Sequence, residues 1–359
     1  MPSQQQVTDV LRTVQDPELH RDLVSLNMIK NVAIAEGSIH VHVELTTPAC
    51  PLKDQITREV QAALRQLEDV REVTVEFSAQ VRSQQGPKPG GSMPGVKHIV
   101  AVGAGKGGVG KSTASVMLAV GLARSGAAVG LLDSDVYGPS LPTMMGVQGT
   151  KPQVANERIL PVEAAGVKTI SMGFMLEPEQ AVIWRGPMIH GVVTQFLQQV
   201  EWGELDYLIV DLPPGTGDVP LSLAQSIPMT GAVVVCTPQD VALADARRAV
   251  KMYEQLNVAC LGIIENMSYY LCPKCGHRDE VFDHGGAEVA AQELNVPFLG
   301  GIPLNGKIRA FGDQGKPGHY FTDTGEAVVE SIGQVVGNLA GQISVKAMSQ
   351  AQQPTLSIE

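Results

Sequence analysis

The chain has 359 residues, 44% hydrophobic and 18% charged, with 4% aromatic residues but 38 Gly and 23 Pro; these proportions exclude wholesale disorder and a collagen-like fibre, and the length suggests two turn-rich globular units. Twenty-six Lys and Arg against 37 Asp and Glu give a net charge of −11, a poor footprint for nonspecific nucleic-acid binding, so a phosphate ligand needs a local site. The amino terminus lacks a signal peptide's basic flank and apolar run, no stretch of about 18 apolar residues occurs, and five cysteines are too few and too uneven for a secreted disulfide framework, so a soluble, cytoplasmic protein with reduced thiols and no membrane or nucleic-acid partner is expected.

In chain order, a helix-like start spans Gln5 to Val14. From Ser38 to Leu45, Ile39, Val41, Val43 and Leu45 alternate with His40, His42 and Glu44, which predicts a strand with one wet face. A helix over Leu52 to Leu67 and a strand near Val73 to Phe77 complete a small α/β domain over residues 1–82. Residues 83–97, SQQGPKPGGSMPGVK, have the composition of a flexible linker.

Beyond the linker, short apolar runs alternate with helical stretches, as parallel sheets buried on both faces require. The predicted strands are His98–Val102, Ala128–Asp133, Tyr207–Asp211, Ala232–Cys236, Cys260–Glu265 and Phe298–Ile302. A closing helix from Glu326 to Ile343 leaves a polar tail over residues 344–359. The second unit, residues 98–343, is thus expected to be a mostly parallel sheet flanked by helices, and no internal repeat of 20 to 50 residues interrupts it.

Gly105-Lys106-Gly107-Gly108-Val109-Gly110-Lys111-Ser112 fits G-x-x-x-x-G-K-[ST] and stands between the strand ending at Val102 and a helix carrying Val116, Leu118, Val120 and Leu122. That context makes a P-loop NTPase. Glycines turn backbone N–H groups toward phosphate oxygens, the helix amino terminus adds positive potential, Lys111 neutralises charge and the Ser112 hydroxyl can ligate Mg²⁺. Gly105 through Thr113 are therefore the expected ATP-binding residues, with Lys111 catalytic.

A second lysine inside the loop, Lys106, resembles the deviant Walker A pattern K-G-G-x-G-K-[ST]. The resemblance implies a branch of P-loop ATPases in which that lysine crosses a dimer to the partner's nucleotide. Leu131-Leu132-Asp133-Ser134-Asp135 resembles the branch's first switch, which implies nucleotide contact at Asp133 and an attacking water oriented by Asp135. Tyr207 to Asp211 followed by Leu-Pro-Pro-Gly215-Thr-Gly-Asp218 resembles Walker B running into the second switch. Carboxylates at the carboxyl ends of parallel strands are where open α/β sheets meet Mg²⁺ and phosphates.

Cys272-Pro273-Lys274-Cys275-Gly276 places two thiols in one Pro/Gly-flanked turn, a geometry for one metal. Soft sites usually take four ligands, and Cys236 and Cys260 read as buried strand residues, so a homodimer would complete the set at its two-fold axis. A shared [4Fe-4S] cluster and a shared zinc both suit the spacing; a thioredoxin-like pair does not, because the motif follows a strand instead of opening a helix. His277 is more simply a solvated side chain.

The ordered set of deviant P-loop, DSDVYGPS, DLPPGTGD and Glu265-Asn266-Met267-Ser268 leading into CPKCG resembles the Mrp/ApbC family of iron–sulfur cluster carrier ATPases over nearly all of residues 98–342. It implies a [4Fe-4S] cluster held between two subunits by Cys272 and Cys275, delivery to apo iron–sulfur proteins under control of slow ATP hydrolysis, and Asn266 at the adenine edge. Asp16-Pro17-Glu18-Leu19 and Leu45-Thr-Thr-Pro-Ala-Cys50-Pro resemble the small domain of SufT- and PaaD-type assembly proteins. Cys50 precedes a predicted helix, whose amino terminus would favour its thiolate. The rival class is a MinD- or ParA-like positioning ATPase with a zinc-bridged dimer; the former wants an amphipathic membrane tail and the latter a basic DNA face, and the sequence offers neither.

Overall fold

Alternation along the first apolar strand sets the small unit. In the computed structural model, which describes residues 1–83, 93–135, 138–175 and 186–350, α1 (Gln4–Leu11) opens with a capping box in which the Ser3 hydroxyl accepts from the Gln6 amide and the Gln6 side chain accepts from Ser3 N–H. After the small ladder β1 (Gln15–Asp16) with β2 (Arg21–Asp22), a three-stranded sheet follows, formed by β3 (Ile29–Ala35), β4 (Ser38–Leu45) and β5 (Glu72–Ala79), with α2 (Lys53–Leu64) as crossover. Ile39, Val41, Val43 and Leu45 of β4 enter a core with Val7, Leu11, Ile56, Val60 and Leu64, while His40 and His42 face outward onto Thr74, Glu76 and Ser78 of the parallel neighbour β5.

The second unit is built on a central sheet. Its elements in order are β6 (Val96–Gly103), α3 (Lys111–Arg124), β7 (Val129–Asp133), α4 (Leu141–Met144), the short ladder β8 (Val154–Ala155) with β9 (Arg158–Ile159), and the edge hairpin β10 (Val162–Ala164) with β11 (Val167–Ser171). Then come α5 (Gly186–Gln199), β12 (Leu205–Asp211), α6 (Asp218–Ser226), β13 (Gly231–Cys236), α7 (Asp240–Gln255), β14 (Cys260–Leu271), β15 (Arg278–Asp279), α8 (Gly286–Glu293), β16 (Phe298–Leu304), α9 (Gly306–Asp313) and α10 (Glu326–Gln350). Strands run β10-β11-β7-β12-β6-β13-β14, with β15 and β16 both paired to β14; β10 and β15 are antiparallel and the remaining pairings parallel.

Successive residues of β6 enter opposite cores. Ile99 and Ala101 join Phe196, Leu223 and Val250 of α5, α6 and α7; Val100 and Val102 join Leu118, Ile332 and Leu339 of α3 and α10. Burial on both faces is why these strands read as continuous apolar runs. The α/β P-loop architecture is as the sequence predicts, and each of the six predicted strands is present within a few residues of its expected bounds, except that β14 runs six residues past Glu265; the parallel strand β11, paired to β7, is not among them.

Two differences have physical causes. β6 already starts at Val96, two residues inside the expected linker, because Leu205 N–H donates to Gly95 O and Met93 packs on the core; residues 84–92 of that linker lie outside the described residues. α10 continues to Gln350, into the expected polar tail, since Ala347 is buried, Met348 packs on the small unit's core and Lys346 Nζ donates to Thr230 O at 2.6 Å. Residues 351–359 of that tail lie outside the described residues, as do Val136, Tyr137 and the side chain of Asp218 from the two switch motifs.

The two units touch. Thr47 and Tyr207 are both fully buried and share a hydrogen bond of 3.1 Å between their hydroxyls, Val81 enters the core under α3 and α10, and the Glu18 carboxylate lies against Gly341 of α10, where an added Cβ would sit 2.1 Å from Glu18 Oε1.

Candidate functional site

The phosphate loop leaves β6 and enters α3 at Lys111, with Gly108 at φ +83° and Gly110 at φ +81°. Gly110 is required twice over: a left-handed backbone disfavours other residues, and a Cβ there would lie 2.1 Å from Asn266 Nδ2. Asn266 donates from Nδ2 to Val109 O at 2.8 Å, tying β14 to the loop. Gly215, at φ +96°, donates its N–H to Ala104 O at 2.9 Å and ties the segment after β12 to the same loop.

Lys111 is buried, with Nζ 2.7 Å from Asp211 Oδ2 and 4.0 Å from Asp135 Oδ2. Asp211 is fully buried and also accepts from Ser112 Oγ at 2.7 Å and Ser115 Oγ at 2.6 Å. A buried carboxylate demands such partners, and here the one cation and two hydroxyls come from a single helix turn. Asp133 has a different environment. Its Oδ2 accepts from Ser171 Oγ at 2.9 Å and its Oδ1 from Asp135 N–H at 3.1 Å, but burial, and then the nearby Asp211 charge, push its carboxyl up to about 7.

Lys106 is half-buried, and no hydrogen bond or ion pair joins it to the described residues. Beside the loop, Gly110, Thr113, Asn266, Pro303, Asn305 and Arg309 line a cavity of about 460 Å³. Hard oxygen donors at Ser112, Asp211 and Asp133, a buried lysine and a glycine loop at a helix amino terminus fit Mg²⁺ and phosphates, and the adjoining cavity fits a base. The sequence thus picks out Gly105 to Thr113, Asp133, Asp135, Asp211, Gly215 and Asn266, and the fold brings them together. Ser115 and Ser171, which hold the two buried aspartates, were not foreseen; Ser115 stands one helical turn past Lys111, and that spacing is its only sequence signal.

The cysteine turn lies between β14 and β15. Cys272 N–H donates to His277 O and Gly276 N–H to Cys272 O, both at 2.9 Å, closing the loop. Hydrogen bonds to Cys272 sulfur from the Lys274 amide, then the Cys275 amide and the Cys275 thiol, hold its thiol below the usual range, and Cys275 is exposed. Among the described residues no three His, Cys, Asp or Glu side chains converge as a metal site, so the turn offers two thiols per chain. Burial pushes the Cys236 thiol up to about 12 and the Cys260 thiol up to about 11, in keeping with strand positions.

Cys50 departs from expectation. The helix begins at Lys53, and although the Leu52 amide bonds to the sulfur, burial outweighs it and the Glu18 and Asp16 carboxylates add to the effect, so the thiol rises to about 11 instead of falling. Glu18 itself is pushed up to about 7 by burial and then by Asp16.

A mostly parallel sheet with a P-loop between its first strand and helix, and aspartates at the ends of two neighbouring strands, defines a P-loop NTPase. The chain belongs to the NUBPL iron-transfer P-loop NTPase family, whose pattern matches residues 95–340, and residues 4–77 match the iron–sulfur cluster assembly protein family. It is 50% identical to the iron–sulfur cluster carrier protein of Synechocystis over 95% of this chain and 98% of that one, and 51% identical to that of Deinococcus radiodurans over 95% of each. Among solved structures, it resembles an Archaeoglobus fulgidus nucleotide-binding protein in complex with ADP, with 40% identity and a TM-score of 0.58 over 65% of this chain and 94% of that one. The Pyrococcus furiosus cell division ATPase MinD, 21% identical with a TM-score of 0.51 over 67% of this chain and 97% of its own, shares the fold. No helix among the described residues is long and apolar enough to cross a membrane.

Proposed function

We propose that this protein is a cytoplasmic, ATP-dependent carrier that holds a [4Fe-4S] cluster between two copies of the chain, through Cys272 and Cys275 of each, and passes it to apo iron–sulfur proteins. The observation that carries the reading is the exposed two-thiol turn, too small a ligand set alone, mounted on the strand that also touches the phosphate loop. The carrier names of the Synechocystis and Deinococcus relatives and the ADP in the Archaeoglobus relative support it.

In this reading the amides of Gly105 to Thr113 cradle the ATP phosphates, and Lys111 exchanges its present aspartate partner for phosphate oxygens. Ser112 and Asp211 would hold Mg²⁺, which would neutralise charge on the phosphates. Asp135 orients the attacking water, Lys106 reaches the partner's nucleotide, and Asn266 with the adjoining cavity receives the base. Hydrolysis is slow. Residues 1–82 form a unit that packs against the ATPase of residues 98–343 and guides targets or clusters to it. Accessible thiols under few protein ligands suit a cargo that must leave.

Anaerobic reconstitution of the full chain tests the reading. One four-iron cluster per two chains is expected, lost in Cys272→Ala or Cys275→Ala and kept in Cys236→Ala and Cys260→Ala. Zinc instead of iron after anaerobic isolation, or a stable cluster on a monomer, would overturn it and leave a positioning ATPase as the better account.

A further inference from the structure

Between Asn266, which touches the phosphate loop, and Cys272, which carries a thiol, lie five residues of one strand. Their geometry is irregular. Asn266 pairs with Ile302 and Tyr270 with Leu304, so four residues of β14 are spanned by two of β16, and the surplus is taken up where Met267 sits at φ +55°. A left-handed backbone at a non-glycine residue costs energy and persists only where its surroundings over-determine it. Those surroundings are polar and buried, in a face otherwise filled by apolar side chains.

Glu265 and Ser268 are both fully buried. Glu265 accepts from Gly285 N–H at 3.1 Å and Ala287 N–H at 2.9 Å, which caps the amino terminus of α8. Ser268 Oγ donates to Glu265 Oε1 at 2.6 Å and lies 2.8 Å from His284 Nδ1, and His284 Nδ1 is 3.4 Å from the same Glu265 oxygen. With the serine proton committed to the carboxylate, His284 Nδ1–H is the donor to Ser268. The His284 ring then meets Tyr269 edge-on at 5.9 Å, Tyr269 hydroxyl lies 3.2 Å from Ser331 Oγ, and Arg278, which leaves the cysteine turn on β15, stacks 4.0 Å over the Tyr269 ring. Nucleotide loop, bulge and cysteine turn are therefore joined by an unbroken series of contacts. None of Glu265, Ser268, Tyr269 or His284 is required to hold phosphate or thiol-bound metal.

We propose that the segment Asn266–Leu271 is the element through which nucleotide occupancy acts on the cysteine turn, and that His284, with Ser268, is the positioning residue that fixes its bulge. This rests on the assignment of Asn266 to the nucleotide side and Cys272 to the cargo side. A nucleotide that draws Val109 or Asn266 toward itself pulls on a strand whose slack is concentrated at Met267, and the His284–Ser268–Glu265 network anchors that slack to α8. The pull then emerges at the turn, where amide bonds to the Cys272 sulfur set its reactivity. Without the anchor, the bulge absorbs the displacement.

The test uses the full-length, metal-free chain, so its outcome does not depend on whether iron binds. Alkylation of Cys272 by iodoacetamide, followed by peptide mass spectrometry, is timed without nucleotide and with saturating Mg-ADP or a non-hydrolysable Mg-ATP analogue, while calorimetry measures nucleotide affinity. In the unaltered chain nucleotide should change the Cys272 rate by about fivefold, the lower end of ordinary couplings between sites. His284→Ala and Ser268→Ala should bring that ratio to about one with affinity within about twofold. His284→Asn, whose amide can donate from the Nδ1 position, should restore most of the response. Variants that bind nucleotide and keep the full response overturn the proposal, as does an unaltered chain that binds nucleotide without any change at Cys272. A chain that shows the response but takes up no iron would instead defeat the carrier reading and leave the coupling standing.

Discussion

The phosphate loop and the cysteine turn stand six residues apart along β14 at their nearest, and they are built on opposite plans. The loop's lysine and Asp211 are buried and satisfied within one chain, each polar atom meeting a partner from α3 or a neighbouring strand end. The turn is exposed, and its Cys272 sulfur is held by nothing stronger than two backbone amides and the Cys275 thiol. Phosphate is recognised by many weak, directional donors that must be fixed in advance, so the site belongs in a rigid, dry place. A soft metal cargo is held by few strong bonds, and a protein that must release it gains from supplying half of them.

The sharpest way to break that comparison is at Lys111. Lys111→Ala removes the cation aimed at the phosphates, and a loss of about a hundredfold to a thousandfold in ATP turnover is expected, the range seen when one preorganised charge-stabilising donor is deleted. Because the same change strips Asp211 of its cation, the melting temperature should also fall, as it does when one partner of a buried pair is removed. Cys272→Ala should do neither, leaving the metal-free protein's melting temperature unchanged. An equal loss of stability in both variants would show that the two sites are not built differently.

Smaller in size but more specific is the role of Lys106. Lys106→Ala and Asp135→Ala homodimers should each bind ATP and hydrolyse little. In a mixed dimer, the site on the Lys106→Ala chain keeps its own Asp135 and receives an intact lysine from its partner, while the other site lacks both. Random exchange puts half of the dimers in the mixed class with one whole site of two, so about a quarter of the unaltered activity should return. If subunit exchange is demonstrated and activity stays at the level of the separate variants, Lys106 does not act across a dimer.

How far these sites were legible follows from how local their signals are. The phosphate site is contiguous in motif and in strand pattern: β7 and β12 are apolar runs ending in Asp133 and Asp211, and their burial on both faces wrote itself into the sequence. The edge hairpin β10–β11 escaped because Val162 to Ser171 mix Glu, Lys and Gly into short runs, as strands near a sheet edge do. β3 escaped likewise, its Lys30 and Asn31 facing solvent. Cys50 was misjudged because helix position is readable locally whereas its burial, beside Glu18, comes from distant segments. The same holds for His284, sixteen residues from Ser268 and placed beside it only by the entry into α8.

The comparison has a last, smaller consequence in pH, where the two regions should pull stability in opposite directions. Asp133 is raised from 3.8 to about 7 in the fold, so between those values the native state holds a proton that the unfolded chain has released. Its contribution is complete below about pH 4 and is lost as pH rises toward 7, by at most about 1.4 kcal/mol per unit. Cys272 runs the other way. Its thiol is lowered from 9.0, so the folded state gives up the proton first, and its contribution grows as pH climbs toward 9 and disappears as pH falls through the folded value. Asp133→Asn, which resembles the protonated acid in shape and keeps an acceptor for Ser171, should flatten the decline between pH 4 and 7 and raise stability at pH 8, at the expense of Mg-ATP turnover. Cys272→Ser should leave that decline intact and remove only the shallow rise that approaches pH 9 from below. Urea unfolding of both variants at pH 5, 7 and 8.5 reads these slopes directly, and an Asp133→Asn curve parallel to that of the unaltered chain would show that Asp133 is already ionised at neutral pH.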